Sequence, residues 1–415
     1  MKTSPVGKER KSLKLITRSA CGVAAVAFAF VAVMAGMPAT PAVQAQKPPG
    51  ELASKPTGPH NVGMREYLWI DDKREESFTR DPADHRHLLV RVWYPAEPTP
   101  GGDRALYIRD INEFGEKPIF RSAANVKTNA VLDAPLLKTK GSFPVLVYQP
   151  GGGAPRFIAS FETEQLASYG YVVFSADHAG LSQTVLYPDG YKFQADQHLA
   201  PTPTGRFRDD AMTSFDWLEK QVFPTWTADA RFTLDKIEEI NRTPGNSFYE
   251  KLDLNRIGMM GWSFGGATAI QMSRDDKRVK AAIDHDGRLF GDVSDRGTSR
   301  PFMLMHHGGV DKAPKPEDQK DMDQLLEMMK GYDRSLIQHS SGDWYDVTIA
   351  KTGHGHFSDY LLFIPRKPEE LDPLRGYEII NGYTLAFFDK YLNGKESDLL
   401  KSASNKYPEV TFKRK

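Results

Sequence analysis

"MMGWSFGGATAI", residues 259–270, places a serine at position 263 inside the pattern Gly-x-Ser-x-Gly. This five-residue pattern alone is a weak signal, so its surroundings must decide whether Ser263 is a nucleophile or an ordinary turn residue. The run 256–262 before it is apolar and typical of a buried strand, and the run 266–273 after it has the small residues of a closely packed helix. Glycines on both sides leave room for a crowded strand-to-helix turn, and the dipole of the following helix would face negative charge developing at the serine. The stretch therefore predicts a nucleophilic hydroxyl at Ser263.

Strand and helix signals alternate along the chain on both sides of this turn. Further strand-like runs occupy the segments 87–95, 143–150, 171–178, 278–286, 300–307 and 345–354. A short helical pattern lies at 161–170, and an amphipathic helix is indicated at 376–392. This alternation predicts an α/β sheet. Together with the serine turn, and with aspartates and histidines after later strands, it predicts an α/β-hydrolase fold, with a mostly parallel central sheet and helices on both faces.

A serine is a poor nucleophile unless an imidazole removes its proton and a carboxylate orients that imidazole. His354 and His356 follow the last strand-like run in "TGHGHFSDY" (352–360), which is where the histidine of this chain order belongs. We favour His354 as the base because it stands at the end of the strand.

Candidate carboxylates follow two different strands. Asp284 and Asp286 lie in "AIDHDG", after the strand that succeeds Ser263, and Asp311 lies in "HHGGVDKAP", after the next strand. Enzymes of this fold use either strand end, and aspartate is also common as a loop cap. The residues by themselves leave Asp286 and Asp311 open as the acid.

The carbonyl oxygen of a substrate needs two backbone N–H donors. Phe264, directly after the serine, is expected to supply one. The glycine-rich loop "YQPGGGAPR" (148–156) is expected to supply the other, because its glycines let the backbone approach a substrate closely. No Lys-Ser or Lys-Thr follows Gly153, which argues against a phosphate-binding loop.

The first 45 residues are interpreted as a secretory signal peptide. A basic segment ending at Arg18 precedes an apolar run at 20–36, and Val43-Gln44-Ala45 fits a small-x-small cleavage site. The protein is therefore predicted to be exported, to the periplasm or beyond, after cleavage near Ala45. The only cysteine, Cys21, lies in this segment, so the mature chain would lack disulfides, thiolate metal sites and a cysteine nucleophile.

The remaining chain has a mildly acidic balance. Six of the 54 basic and one of the 54 acidic residues lie within 1–45, which leaves a net charge near −5 and does not suggest nucleic-acid binding. The predicted organisation is a signal peptide at 1–45, a Pro-rich linker at 46–61, an α/β-hydrolase domain at 62–395 with an insertion at 224–250, and a charged, mobile C-terminal tail at 396–415.

The segment "GWSFGGATAIQMSRDDKRVKAAIDHDG" resembles the platelet-activating factor acetylhydrolases of the plasma and intracellular type II group. That family carries Gly-x-Ser-Phe-Gly-Gly-Ala-Thr, then its acid on the following strand, then His-x-x-Phe near the last strand. Looser matches extend the similarity over most of residues 58–393. The resemblance implies Ser263 as nucleophile, Asp286 as triad acid and His354 as base, with oxyanion amides from Phe264 and Gly152. Its implied substrates are phospholipids with short acyl chains.

The sequence departs from this family beside the site. Trp262 stands where the family often has histidine, and Pro150-Gly151 replaces its His-Gly. Trp262 either lines the acyl pocket or packs in the core. The apolar stretch 359–368 is either a substrate-facing flap with transient contact to a lipid surface or a buried connection.

The leading hypothesis is an exported serine esterase acting on a small-molecule or lipid ester, with no cofactor and no metal. A general carboxylesterase, lipase or polyester hydrolase on the same fold is the nearest alternative, and Asp311 as the acid would favour it. A metallohydrolase remains a second alternative, with four candidate ligands: His306, His307, His354 and His356. A non-catalytic binding protein is the third. The sequence does not indicate an oligomeric state.

Overall fold

An eleven-stranded sheet forms the centre of the described part of the chain. The computed structural model describes residues 50–52, 54–113, 121–181, 185–193, 195–196, 199, 217–309, 319–364 and 367–415. Its strands are β1 (Asn61–Glu75), β2 (His85–Ala96), β3 (Arg104–Leu106), β4 (Lys127–Leu132), β5 (Phe143–Gln149), β6 (Val172–Ala176), β7 (Leu252–Trp262), β8 (Val279–His285), β9 (Phe302–Gly308), β10 (Trp344–Ala350) and β11 (Val410–Arg414).

The strand order is β11-β10-β9-β8-β7-β5-β6-β2-β1-β4-β3. The six neighbours from β10 to β6 pair in parallel, and antiparallel pairs join β11 to β10 and β6 to β2. Because parallel strands end at the same edge of a sheet, the loops after β5, β7, β8, β9 and β10 meet there. The predicted mostly parallel sheet is confirmed.

Helices cover both faces of this sheet. They are α1 (Ser160–Ser168), α2 (Phe223–Arg242), α3 (Phe264–Asp275), α4 (Val293–Arg296), α5 (Gln319–His339) and α6 (Pro373–Asn393). Successive residues of β5 point to opposite faces: Leu146 joins an apolar cluster with α1 and α6, whereas Val147 joins one with α2 and α3. These strand residues are apolar on both faces because both faces are buried, as is usual for parallel sheets. The α/β fold with helices on both faces is as predicted.

Three segments differ from their expected organisation. The segment 224–250, interpreted as an insertion, consists mainly of α2, whose buried face packs on the sheet. The C-terminal tail at 396–415, expected to be mobile, contains the edge strand β11 and the buried residue Tyr407. Within the linker at 46–61, Leu52 is buried and its N–H donates to the carbonyl of Lys127 (2.8 Å). The expectations for the linker and the tail were based on proline content and charge, but tertiary packing determines the structure of these segments.

The predicted signal peptide at 1–45 lies outside the described residues. Within the described residues, no helix combines the length and apolar character that crossing a membrane requires.

Candidate active site

Ser263 occupies the sharp turn between β7 and α3. Its backbone has φ 58° and ψ −122°, a conformation that costs a non-glycine residue about 1–3 kcal/mol. The turn is held by hydrogen bonds: the Ser263 N–H donates to the His285 carbonyl (2.9 Å), and the Ser263 carbonyl accepts from the Gly266 N–H (3.0 Å). A Cβ on Gly265 would stand 2.0 Å from the Gln149 carbonyl oxygen, so only glycine fits there. The Ser263 side chain is half-buried and therefore reachable from solvent.

His354 begins a short 3-10 turn directly after β10. Its Nδ1 donates to Oδ2 of Asp286 over 2.6 Å, and both side chains are almost fully buried. Asp286 follows β8 and has φ 58°, another strained position, which is held by its N–H donating to the Met305 carbonyl (2.8 Å). With Nδ1 donating to a carboxylate, Nε2 of His354 is the nitrogen left to accept a proton.

A second imidazole shares the Asp286 carboxylate. Nδ1 of His307, at the end of β9, donates to the same Oδ2 over 2.7 Å, and the His307 backbone N–H donates to Oδ1 over 3.1 Å. Burial raises the pKa of Asp286, but the hydrogen bonds and charges of His307 and His354 outweigh burial and hold it well below its usual range. Asp286 is thus a buried, ionised carboxylate with three hydrogen-bond donors.

Trp262 connects the serine turn to the histidine turn. Its indole N–H donates to the His354 carbonyl over 3.1 Å, and its ring lies 4.9 Å from the His354 ring between centroids. The side chain is 7% exposed and belongs to the apolar cluster beneath α1 and α6. Trp262 therefore packs in the core while it holds the backbone of His354.

The glycine-rich loop after β5 runs alongside the serine turn. A Cβ on Gly151 would stand 3.2 Å from the Ser263 Cβ, and a Cβ on Gly152 would stand 3.9 Å from the Phe264 Cβ. The loop is tied to the segment after β6, because the Gly153 N–H donates to the Leu181 carbonyl over 2.9 Å. The two expected oxyanion donors, the amides of Phe264 and Gly152, thus belong to adjacent segments.

A buried polar network supports the start of this loop. Oδ2 of Asp229 accepts from the Arg86 guanidinium (2.7 Å) and from Nδ1 of His178 (2.8 Å). Nε2 of His178 lies 3.1 Å from the side-chain amide oxygen of Gln149, the last residue of β5. Burial raises the pKa of Asp229, but the Arg86 charge outweighs it and keeps the pKa well below normal. This network anchors Gln149 against the glycine turn around Ser263.

The other sequence candidates have different surroundings. Both ring nitrogens of His356 are engaged, since Nδ1 accepts from the Gly353 N–H (3.0 Å) and Nε2 donates to the Leu371 carbonyl (3.1 Å). Asp284 accepts from the Gly287 N–H (2.7 Å), and burial raises its pKa well above the usual value. Asp311 lies outside the described residues. Of the candidates described, the structure therefore pairs Asp286 with His354, and Trp262, the residue before Ser263, donates to the His354 carbonyl.

The apolar stretch 359–368 begins with a second 3-10 turn, Asp359–Leu362. The side chains from Tyr360 to Ile364 are half-buried. Leu361 lies near Gly355, the residue between His354 and His356 in the preceding 3-10 turn. Residues 365 and 366 lie outside the described residues. The described part of the stretch is a partly exposed apolar surface beside His354.

Three side chains in the described residues could approach one metal ion: Asp286, His307 and His354, whose ligand atoms all lie within 4.8 Å of one another. Of the four histidines considered as ligands from sequence, only two belong to this group, because His356 is engaged elsewhere and His306 faces Asp346 at 4.0 Å. Both Nδ1 atoms lie at hydrogen-bond distance from a single carboxylate oxygen, which is the geometry of N–H donors sharing an acceptor. We interpret the group as a hydrogen-bonded cluster.

Sequence reasoning considered His307 only as a metal ligand and missed its contact with Asp286. The available signal was its position at the end of the strand next to β8. The fold and the serine turn, with a histidine after β10 hydrogen-bonded to an aspartate after β8 at the same edge of the sheet, define a protein of the α/β-hydrolase class.

Comparison with known proteins narrows this class. The family model described as Platelet-activating factor acetylhydrolase, isoform II matches residues 48–200 and 240–406, and the chain belongs to this family. The resemblance stated from sequence is thus confirmed.

Named relatives and a solved structure agree with this membership. A probable 1-alkyl-2-acetylglycerophosphocholine esterase of Arthroderma benhamiae is 27% identical over 65% of this chain, which spans 66% of that relative's length. The platelet-activating factor acetylhydrolase of Cavia porcellus is 23% identical over 81% of this chain and 77% of its own length. The structure of a ferulic acid esterase from Streptomyces cinnamoneus is 26% identical, with a TM-score of 0.67, and the match covers 88% of this chain and 99% of that one. These matches place the chain among the ester hydrolases.

Proposed function

We propose that this protein is an exported serine esterase that cleaves short acyl groups from phospholipid-like esters through an acyl-enzyme. The observation that carries the mechanism is the 2.6 Å hydrogen bond between His354 and Asp286, made beside the strained turn at Ser263. It orients the imidazole so that Nε2, rather than Nδ1, acts as the base.

The proposed reaction has two halves. Ser263 Oγ attacks the ester carbonyl while Nε2 of His354 takes its proton, and the amides of Phe264 and Gly152 stabilise the oxyanion. The tetrahedral intermediate collapses, and the leaving alcohol receives the proton from His354. Water then enters, gives a proton to His354 and attacks the acyl-enzyme, and the carboxylic acid leaves as Ser263 recovers its proton. Asp286 remains ionised and stabilises the imidazolium that forms in each half.

The substrate class is proposed from the relatives, one of which is named for 1-alkyl-2-acetylglycerophosphocholine. The half-buried apolar surface from Tyr360 to Ile364 beside His354 supports an ester with a lipid portion, and contact with a lipid surface would use the same residues. The likeness to a ferulic acid esterase supports a second candidate, an aromatic or general carboxylic ester on the same fold.

A substrate panel tests this proposal. We expect the highest kcat/KM for an acetyl phospholipid, a lower value for its long-chain analogue and for a feruloyl ester, and little release from a polyester film. Ser263→Ala should abolish turnover of each ester without changing the circular dichroism spectrum, whereas Ser402→Ala, at an exposed position, should match wild type. Retained turnover in Ser263→Ala would exclude the mechanism, and a preference for the feruloyl ester would exclude the substrate class.

Export is proposed from residues 1–45 alone. Expression in a bacterial host should yield a mature protein whose intact mass corresponds to a chain that begins at Gln46. An intact mass that retains Met1–Ala45 in the exported fraction would contradict cleavage.

A further inference from the structure

The Asp286 carboxylate serves two imidazoles that differ in exposure. His354 and His307 donate to the same oxygen over 2.6 and 2.7 Å, but the His307 side chain is 19% exposed and the His354 side chain 9%. One carboxylate cannot fully compensate two imidazolium ions, so the protonation of either ring disfavours protonation of the other. The more exposed ring loses less hydration on charging and is therefore the better site for the first proton.

We propose that His307 takes up the first proton as the pH falls, shares the charge of Asp286 and so keeps His354 neutral and active in more acidic solution. The proposal rests on the function proposed above, since it assumes that His354 is the base. His307 acts through Asp286 and is a positioning residue. It holds the carboxylate with two N–H donors, and when it is protonated it weakens the stabilisation that Asp286 gives to a protonated His354.

The other charged groups around this cluster do not replace His307. Asp284 on β8 is buried and Asp333 on α5 is half-buried, and burial raises the pKa of both, which favours their neutral forms. Arg288 acts on both of these carboxyl groups from the loop after β8. On the other side of β9, Asp346 of β10 faces His306 at 4.0 Å. His356, on the same turn as His354, has both nitrogens engaged with backbone groups.

The test compares pH profiles of kcat/KM for a soluble acetyl ester. His307→Asn keeps a side-chain N–H donor without a titrating ring, and His307→Leu removes both. In both variants the full charge of Asp286 acts on His354, so the acid limb should move to higher pH by about one unit, the usual size of such a charge effect. At the pH optimum, His307→Asn should retain most of the wild-type rate and His307→Leu should lose about tenfold. The adjacent His306→Asn is the matched control and should leave the acid limb in place.

An acid limb that stays in place in both active His307 variants would overturn the proposal. A second measurement does not depend on catalysis: the imidazole NMR signals of Ser263→Ala protein titrated with and without His307→Asn. The His354 signal should titrate at higher pH when His307 is absent, and an unchanged titration would refute charge sharing. Turnover retained in Ser263→Ala would instead refute the proposed mechanism, and the NMR titration would still decide the role of His307.

Discussion

The carboxylate at position 286 should be the acid on which turnover depends, and Asp286→Asn is the substitution that examines it. Both carboxylate oxygens are in use: Oδ2 accepts from His354 and His307, and Oδ1 accepts from the His307 backbone N–H. If the asparagine oxygen faces the imidazoles, its NH2 group opposes that backbone N–H. If the amide is reversed, its NH2 group faces Nδ1 of His354 and selects the tautomer whose Nε2 carries the proton. In neither orientation does the asparagine hold His354 in the position and tautomer that a general base requires.

The expected loss follows from charge and geometry. A carboxylate charge centre about 4 Å away stabilises an imidazolium by roughly 4 kcal/mol at an effective dielectric constant near 20. That energy corresponds to about 10³ in rate, and the tautomer effect can extend the loss to about 10⁴. We expect kcat to fall by this factor while KM changes little, because Asp286 touches the base and not the substrate.

The assay is steady-state hydrolysis of a short chromogenic ester, with thermal unfolding to verify the fold. Asp284→Asn is the matched control, because this second buried carboxyl group lies two residues before Asp286, has a pKa that burial raises, and contacts Gly287 rather than an imidazole. It should retain activity within about tenfold, as should Asp311→Asn. Asp286→Asn activity within tenfold of wild type, or loss of activity in Asp311→Asn, would refute the assignment and favour the alternative acid.

Four other substitutions examine the surroundings of the site. Trp262→Phe keeps the ring contact but leaves the buried His354 carbonyl without its donor, so kcat should fall about tenfold at nearly constant KM in steady-state assays. Gly151→Ala would place a Cβ 2.8 Å from the indole ring and should lower kcat/KM by about 100-fold, whereas Gly152→Ala, whose first contact is at 3.9 Å, should stay within about threefold. Burial raises the pKa of Glu162 to about 8, from a value near 4.5 in the unfolded chain. The contribution of Glu162 to the free energy of unfolding therefore falls as the pH rises between these two values. Calorimetry should show the melting temperature of Glu162→Gln gaining on wild type between pH 5 and 8, and a pH-independent difference would contradict this.

Much of the fold could be predicted from the sequence because its parallel strands are buried on both faces. Segments such as 143–150, which is apolar except for Gln149, end in glycine or proline, and this identifies both the strand and its loop. The serine turn could be predicted for a related reason, since the glycines around Ser263 mark a place where a Cβ would meet backbone. The C-terminal strand was missed because its lysine and arginine side chains face solvent at the edge of the sheet, where charge is compatible with pairing.

The site could be predicted only in part. The residues alone left Asp286 and Asp311 open, and the family resemblance favoured the aspartate that the structure joins to His354. The choice of His354 over His356 followed from its place at the strand end. The position of His307 at a strand end was a signal, but its contact with Asp286 also depends on which strands are neighbours in the sheet and on a strained backbone at Asp286 that no sequence pattern indicates.

The most direct test of the central claim is the site of reaction with a fluorophosphonate probe. Intact mass should show one adduct per chain, and tryptic mapping should locate it at Ser263 in the peptide 257–274. Ser263→Ala protein should remain unlabelled, and His354→Ala should label far more slowly because the hydroxyl loses its base. A wild-type chain that stays unlabelled, or an adduct at any other residue, would contradict the account.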